Sequence, residues 1–212
     1  MRLYLVRHGQ TAWNAEQRAQ GHSDIPLDST GMDQARQLGA RFLGKRIDRV
    51  ISSDLERARQ TAAPIADVTG AIHEETPILR ERGFGDWEGE FFKDIANWWP
   101  ALEAIQGVDR LHLRPPNGES FADVWKRLDP LVDDLHHDTG TTVVVSHGGT
   151  CGLLLARLVK GNLATSRAFR FGNTSVTKLE RRFDSTFTVQ YYNDCAHLET
   201  GALSGSTDGA HR

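Results

Sequence analysis

The sequence lacks most of what a secreted scaffold, a membrane protein or a nucleic-acid binder needs. Only two of its 212 residues are cysteines, Cys151 and Cys195, with neither metal-ligand spacing nor a disulfide framework pattern. The expectation is two reduced thiols in an intracellular, cytoplasmic protein. No apolar run approaches the about 18 residues of a membrane span. The N-terminal run, residues 3–6, stops at Arg7 and is too short for a secretory signal. Excess positive charge is missing too: 25 Lys and Arg against 28 Asp and Glu leave a net charge of −3. That is no footprint for nucleic acid or an anionic membrane, so any anion must be drawn by a local cluster of cations. Clustered metal ligands are absent. The nearest approach is His136-His137-Asp138, and adjacent helical residues diverge by about 100°, so no metal site is expected. No internal repeat is visible.

What is present is an ordinary globular composition, 39% hydrophobic and 25% charged. A chain of this size buries roughly 70% of its unfolded surface and needs no staple. The expectation is a single domain over residues 1–199. Residues 200–212, rich in Gly, Ser and Thr, read as a disordered tail.

Short strands and helices alternate. Residues 2–7 read as a buried strand ended by Gly9. Thr30-Gly-Met-Asp33 fits a capping box opening a helix whose Ala35, Leu38, Phe42 and Leu43 share a face. Residues 48–53 form a second strand and 55–70 a helix interrupted by Pro64. Residues 79–89 read as glycine-broken loop. A capping box at Ser120-Phe-Ala-Asp123 opens a stripe of Phe121, Val124, Trp125, Leu128, Leu131, Val132 and Leu135, despite Pro130. TTVVVS, residues 141–146, is the clearest strand, a helix over 149–161 follows, and residues 175–180 and 187–193 read as two late strands. This alternation predicts an α/β fold with a largely parallel sheet.

Three strand-to-helix junctions carry unusual chemistry: Val6-Arg7-His8-Gly9, Ser52-Ser53-Asp-Leu-Glu-Arg57 and Val145-Ser146-His147-Gly148-Gly149. Ligands of open α/β sheets bind at the carboxyl ends of the strands. If these strands are parallel neighbours, that edge holds two Arg, two His and the amides of helix N-termini. Two guanidiniums suit a phosphate, since each offers forked donors and keeps its proton. One imidazole can attack phosphorus and the other stabilise the equatorial oxygens. A leaving alkoxide also needs a proton donor. LRERGFGDWEG, residues 79–89, offers Glu81, Asp86 and Glu88, and spacing does not choose among them.

The ordered motifs LVRHGQTAWN, SSDLERARQTA, LRERGFGDWEG and VVVSHGGT, with the later NTSV and NDCAHLE, resemble the histidine phosphatase superfamily, also called the phosphoglycerate mutase-like family. The resemblance covers most of the chain. It implies a three-layer α/β/α sandwich around a mostly parallel mixed sheet, and a reaction with no metal or cofactor. It implies that His8 is the nucleophile that becomes phosphohistidine, that Arg7, Arg57 and His147 hold the phosphoryl group, and that Asn14 contacts it. Glu81 is then the proton donor, and Gln20-Gly21 lines the pocket. Thr11 and Gly148, inside the same motifs, are further candidate substrate contacts. On this reading β-strand one ends in Arg-His-Gly because that end is the floor of a phosphate site, and Gly9 lets the backbone turn close to the ligand. His197, in NDCAHLE, is expected to make a structural hydrogen bond.

Within the superfamily, GFGDWEG is similar to the phosphatase branch, whereas the mutases carry a stretch closer to HYG-x-LQG and are longer. Between Gly83 and Val108 the one base, Lys93, faces Asp86, Glu88, Glu90, Asp94 and Glu103. Such a segment, lid-like over about residues 83–118, repels a glycerate bisphosphate. Its aromatics, Phe84, Trp87, Phe91, Phe92, Trp98 and Trp99, either pack the lid on the core or line the leaving-group pocket. The expectation is a metal-independent phosphatase acting on small-molecule phosphomonoesters. The alternatives are mutase-type phosphoryl transfer or a narrow alpha-ribazole, phosphoserine or sugar-phosphate phosphatase. A phosphate-binding module without turnover would have lost a His, an Arg or the acid, and all are present. Superfamily members are often dimers, so the resemblance makes a homodimer one candidate state, and no sequence feature decides it.

Overall fold

The computed structural model describes residues 1–183 and 186–198, so the expected tail lies outside the described residues. The elements in order are β1 (Arg2–Arg7), α1 (Ala12–Ala15), α2 (Ser29–Phe42), β2 (Arg49–Ser53), α3 (Glu56–Thr69), β3 (Ile72–Thr76), α4 (Phe92–Gln106), α5 (Phe121–Arg127), α6 (Asp129–His137), β4 (Thr141–Ser146), α7 (Gly148–Leu158), β5 (Val176–Arg181) and β6 (Phe187–Asp194).

Six strands form one sheet in the order β3-β2-β4-β1-β5-β6. The first four are mutually parallel, and β5 and β6 are added antiparallel. Arg7 pairs with Ser146 and Ser52 with Val145, so the strand ends carrying the three motifs share one edge, as the sequence predicts. Alternate strand residues face opposite layers. Leu3, Leu5, Ile51 and Val144 pack with Val124, Leu131, Leu154 and other residues of α5–α7. Tyr4, Val6, Val50, Val143 and Val145 pack with Leu38 and Phe42 of α2 and Ala58, Ala62 and Ile65 of α3. The result is a three-layer α/β/α sandwich. A strand covered on both faces must be apolar or small throughout, and every residue of β4 is buried.

Several local expectations are corrected. The N-cap of α2 is Asp28, which accepts from the Gly31 amide at 2.8 Å, and not Thr30. Gly31 falls inside the first turn there, against the loop after β1. Leu43 lies past the helix end and is 69% exposed, because the backbone leaves helical geometry at that residue. The long stripe divides at Leu128 into α5 and α6, with Pro130 in the first turn of α6, where its missing N–H is not needed. The stretch expected as loop over 79–89 includes the 3₁₀ turn Gly85–Trp87. Three elements are not among the expected ones: the short helix α1, β3 and α4. β3 is an edge strand with no clean alternation, exposing Ile72, Glu74 and Glu75. α4 runs through Pro100 and buries Phe92, Ile95 and Trp99 against Ala19, Phe84 and Leu113. Those aromatics therefore pack, and Trp87 stands edge-on to Trp98 and Trp99. Among the described residues no helix is long and apolar enough to cross a membrane.

Candidate active site

β1 ends with Arg7 and His8 almost fully buried, at 1% and 3% exposure. The His8 amide donates to Ser146 O at 2.9 Å, extending the β1–β4 ladder by one residue. Asn173 Nδ2 donates to His8 O at 3.0 Å, and the Thr174 amide donates to Arg7 O at 3.0 Å. The backbone under the imidazole is thus held from both sides. His8 Nδ1 lies 2.7 Å from Gly9 O. A carbonyl only accepts, so Nδ1 carries the proton and Nε2 carries the lone pair. Burial first, then the Arg57 and Arg7 cations, hold the His8 pKa well below the ordinary 6.5, so the ring is neutral.

His147 is the N-cap of α7, at the end of β4. Arg57 Nε donates to its Nδ1 at 3.2 Å. A guanidinium only donates, so Nδ1 accepts and the proton sits on Nε2. Among the described residues that buried Nε2 has no hydrogen-bond partner. Burial, then Arg57, His8, Arg7 and Arg127, lower the His147 pKa well below 6.5. The two ring centroids are 5.0 Å apart. The site therefore holds two neutral imidazoles of opposite tautomer, one offering a lone pair at Nε2 and the other an N–H.

Arg57, in the first turn of α3, is fully buried. Its Nη1 donates to Ser23 O at 2.7 Å and its Nη2 to Gly21 O at 2.8 Å, so the guanidinium joins the 20–23 loop to His147. Arg7 Nη1 donates to Phe171 O at 2.7 Å. Thr11 is the N-cap of α1: its Oγ1 accepts from the Asn14 amide at 3.1 Å and lies 3.0 Å from Gln20 Oε1. Its hydroxyl is committed to positioning Asn14 and Gln20. Asn14 Oδ1 accepts from the Thr11 amide at 3.2 Å, while its buried Nδ2 has no hydrogen-bond partner among the described residues. Gly148 opens α7.

The three carboxylates separate cleanly. Glu81 sits on the N-terminus of α7: Oε2 accepts from the Gly149 amide at 2.9 Å, and Oε1 from the Thr150 amide at 3.1 Å and the Arg82 amide at 2.9 Å. It thus shares a helix end with His147. Asp86 is exposed and accepts from Asn117 Nδ2 at 3.1 Å. Glu88 is bonded to the 22–23 loop. Sequence reasoning missed Arg127, which donates to Ile78 O at 2.6 Å, Arg80 O at 3.0 Å and Glu81 O at 3.2 Å, clamping the segment that carries Glu81. It gave Asn173 no role, although this residue opens the NTSV motif, whereas nothing around Arg127 in the sequence signals one. His197 does make structural contacts, with Arg41 Nη1 at 3.2 Å and Thr174 Oγ1 at 3.3 Å. Among the described residues no group of three or more His, Cys, Asp or Glu could hold a metal ion.

Gly9 has a reason other than approach to a ligand. A Cβ there would stand 2.8 Å from Gly31 O, and a Cβ on Gly31 would stand 2.0 Å from Gln10 O. The two glycines let the first turn of α2 wedge against the loop after His8. Gly31→Ala is expected to lose about 1–3 kcal/mol of stability through overpacking against backbone, read as a lowered urea midpoint. An unchanged midpoint would contradict that packing.

Comparison with known proteins matches residues 3–195 to the histidine phosphatase superfamily (branch 1). A curated relative from Yersinia pestis, named "Probable phosphoglycerate mutase GpmB", is 33% identical over 212 residues, covering 96% of this chain and 97% of that protein. The crystal structure of the alpha-ribazole phosphatase from Shigella flexneri superposes with a TM-score of 0.82 at 29% identity, covering 92% of this chain and 97% of that one. A mycobacterial glucosyl-3-phosphoglycerate phosphatase, in complex with VO3, superposes with a TM-score of 0.80 at 32% identity, covering 91% and 98%.

Proposed function

The chain belongs to the histidine phosphatase superfamily, and from that membership we propose that it hydrolyses small-molecule phosphomonoesters through a phosphohistidine at His8. The observation that carries this reading is the pair of opposite tautomers 5.0 Å apart. His8 Nε2 attacks phosphorus; the N–P bond forms as the bond to the leaving oxygen breaks, and Glu81 gives that oxygen a proton. Water then attacks, the N–P bond breaks, and Glu81 takes the water proton back. The His147 Nε2–H and Asn14 Nδ2 are unpartnered donors for the equatorial oxygens. Two buried guanidiniums beside two neutral rings leave a positive site that a phosphoryl dianion balances.

Segment 83–118 is the lid in this proposal, and its excess of carboxylates favours water over a bisphosphate primer. Mutase-type transfer is the second reading. One finding favours it: the Yersinia pestis relative, 33% identical over 212 residues, is named a probable phosphoglycerate mutase. The names of the similar structures support the alpha-ribazole phosphate already among the substrate candidates and add glucosyl-3-phosphoglycerate.

The test compares wild type with Glu81→Gln in excess chelator. Wild type is expected to release phosphate from p-nitrophenyl phosphate and from alkyl phosphates. Glu81→Gln should lower kcat/KM by about 10²–10⁴-fold on alkyl phosphates, and far less on the nitrophenyl ester, whose leaving group needs no proton. Equal losses would remove Glu81 as the acid. Faster isomerisation than phosphate release, with 3-phosphoglycerate and a bisphosphate primer, would favour the mutase.

A further inference from the structure

Resting on that reading of the site, we infer that Glu88, outside the pocket, is a positioning residue that sets the orientation of Arg57 and, through it, the tautomer of His147. Glu88 closes the 3₁₀ turn Gly85–Trp87. Its Oε1 accepts from the His22 amide at 2.8 Å and the Phe84 amide at 3.1 Å. Its Oε2 accepts from the Ser23 amide at 2.8 Å and Ser23 Oγ at 2.6 Å. Four donors converge on one side chain, and only a carboxylate offers acceptors on both branches of its fork. Gly21 bends over it in the left-handed region, at φ +53°, where a Cβ would meet Glu88 Oε1 at 2.1 Å. Glycine is required there on both counts.

Held in this way, the loop aims Gly21 O and Ser23 O at the two Nη atoms of Arg57. A guanidinium is planar, so fixing both Nη atoms fixes the direction of Nε–H. That direction is His147 Nδ1. Without it, nothing shown at Nδ1 would keep the imidazole proton on Nε2. Glu88 thus acts three contacts away from the ring, as an orienting partner acts on a metal-ligating histidine.

The charged groups acting on the imidazoles are Arg57 from α3 and Arg7 from β1 on both rings, and Arg127 from α5 on His147, while Glu81 lies at the N-terminus of α7, bonded to the Gly149 amide. Arg57 is the largest charge effect on both rings after burial, and it lowers both pKa values. Releasing it raises both toward 6.5, so the acid limb of kcat/KM moves to higher pH.

The experiment measures kcat/KM for p-nitrophenyl phosphate against pH in wild type, Glu88→Gln and the exposed-site control Asp86→Asn. Glu88→Gln keeps the volume but turns an NH2 toward N–H donors. It is expected to lose about 10–10²-fold, as misplaced catalytic groups do, with its acid limb shifted up; Asp86→Asn is expected to match wild type. A loss with an unshifted limb, or no loss, overturns the inference. Should Glu88→Gln fail to fold, Ser23→Ala removes one of the four bonds and must shift the limb the same way by less; a flat response overturns it equally. In an Arg57→Lys background Glu88→Gln should add little, because both act on one path; full additivity also overturns it. His8→Ala distinguishes the two failures. An active His8→Ala defeats the reading of the site, whereas an inactive His8→Ala beside an unshifted Glu88→Gln defeats this inference alone.

Discussion

His8→Ala is expected to remove turnover by roughly four to six orders of magnitude, the scale on which covalent nucleophiles fail when deleted. The size follows from the tautomer. His8 Nδ1 is committed to Gly9 O at 2.7 Å, so Nε2 is the one atom of that ring with an available lone pair. The His147 ring cannot substitute, since its Nδ1 lone pair is taken by Arg57 and its Nε2 carries the proton. Wild-type protein denatured in alkali during turnover should retain a phosphoryl group on His8 that survives base and is lost in acid. An adduct on serine or aspartate would refute the assignment. The pH dependence has a definite sign. The ring must be neutral to attack, and burial with Arg57 and Arg7 disfavours its protonated form. Activity should therefore persist as pH falls through 6.5 and decline only below it, whereas an unperturbed imidazole would already have lost half its neutral form there.

The same constraints explain which parts of the molecule are legible in the sequence. β1, β2 and β4 are covered on both faces, so they read as short runs of apolar and small residues, and a run that ends in Arg-His or Ser-His puts polar chemistry at the strand ends where ligands of open α/β sheets bind. β3 is an edge strand with polar residues on both faces, and nothing in its period distinguishes it from a loop. α4 does carry a helical spacing at Phe92, Ile95 and Trp99, masked by Pro100 and by aromatics that suit a pocket equally well. At the site, Arg7, His8, Arg57 and His147 are visible because strand ends and helix starts are local features. The choice of Glu81 over Asp86 and Glu88 is not, because three carboxylates in one irregular segment are sorted by where α7 begins, far along the chain. The tautomers are less legible still. They are set by Gly9 O on one ring and by a guanidinium from another layer on the other.

Arg57→Lys is expected to lower kcat/KM by about 10²–10³-fold, the scale of losing a preorganised transition-state donor, although the charge is conserved. The guanidinium has three tasks fixed in one plane: it bonds Gly21 O and Ser23 O through its two Nη atoms and His147 Nδ1 through Nε. An ammonium is a point donor on a flexible stem, and it cannot meet three acceptors arranged around a fork. Losing the Nε contact frees the His147 proton to move to Nδ1, which removes the Nε2–H offered to the equatorial oxygens. Losing the Nη contacts loosens the 20–23 loop. Both changes weaken binding of the pentacoordinate state more than binding of the ground state, so vanadate affinity should fall in parallel with kcat/KM while KM moves less. A lysine variant within about threefold of wild type would mean that charge alone suffices here, and that the planar linkage from loop to imidazole has no part in the reaction.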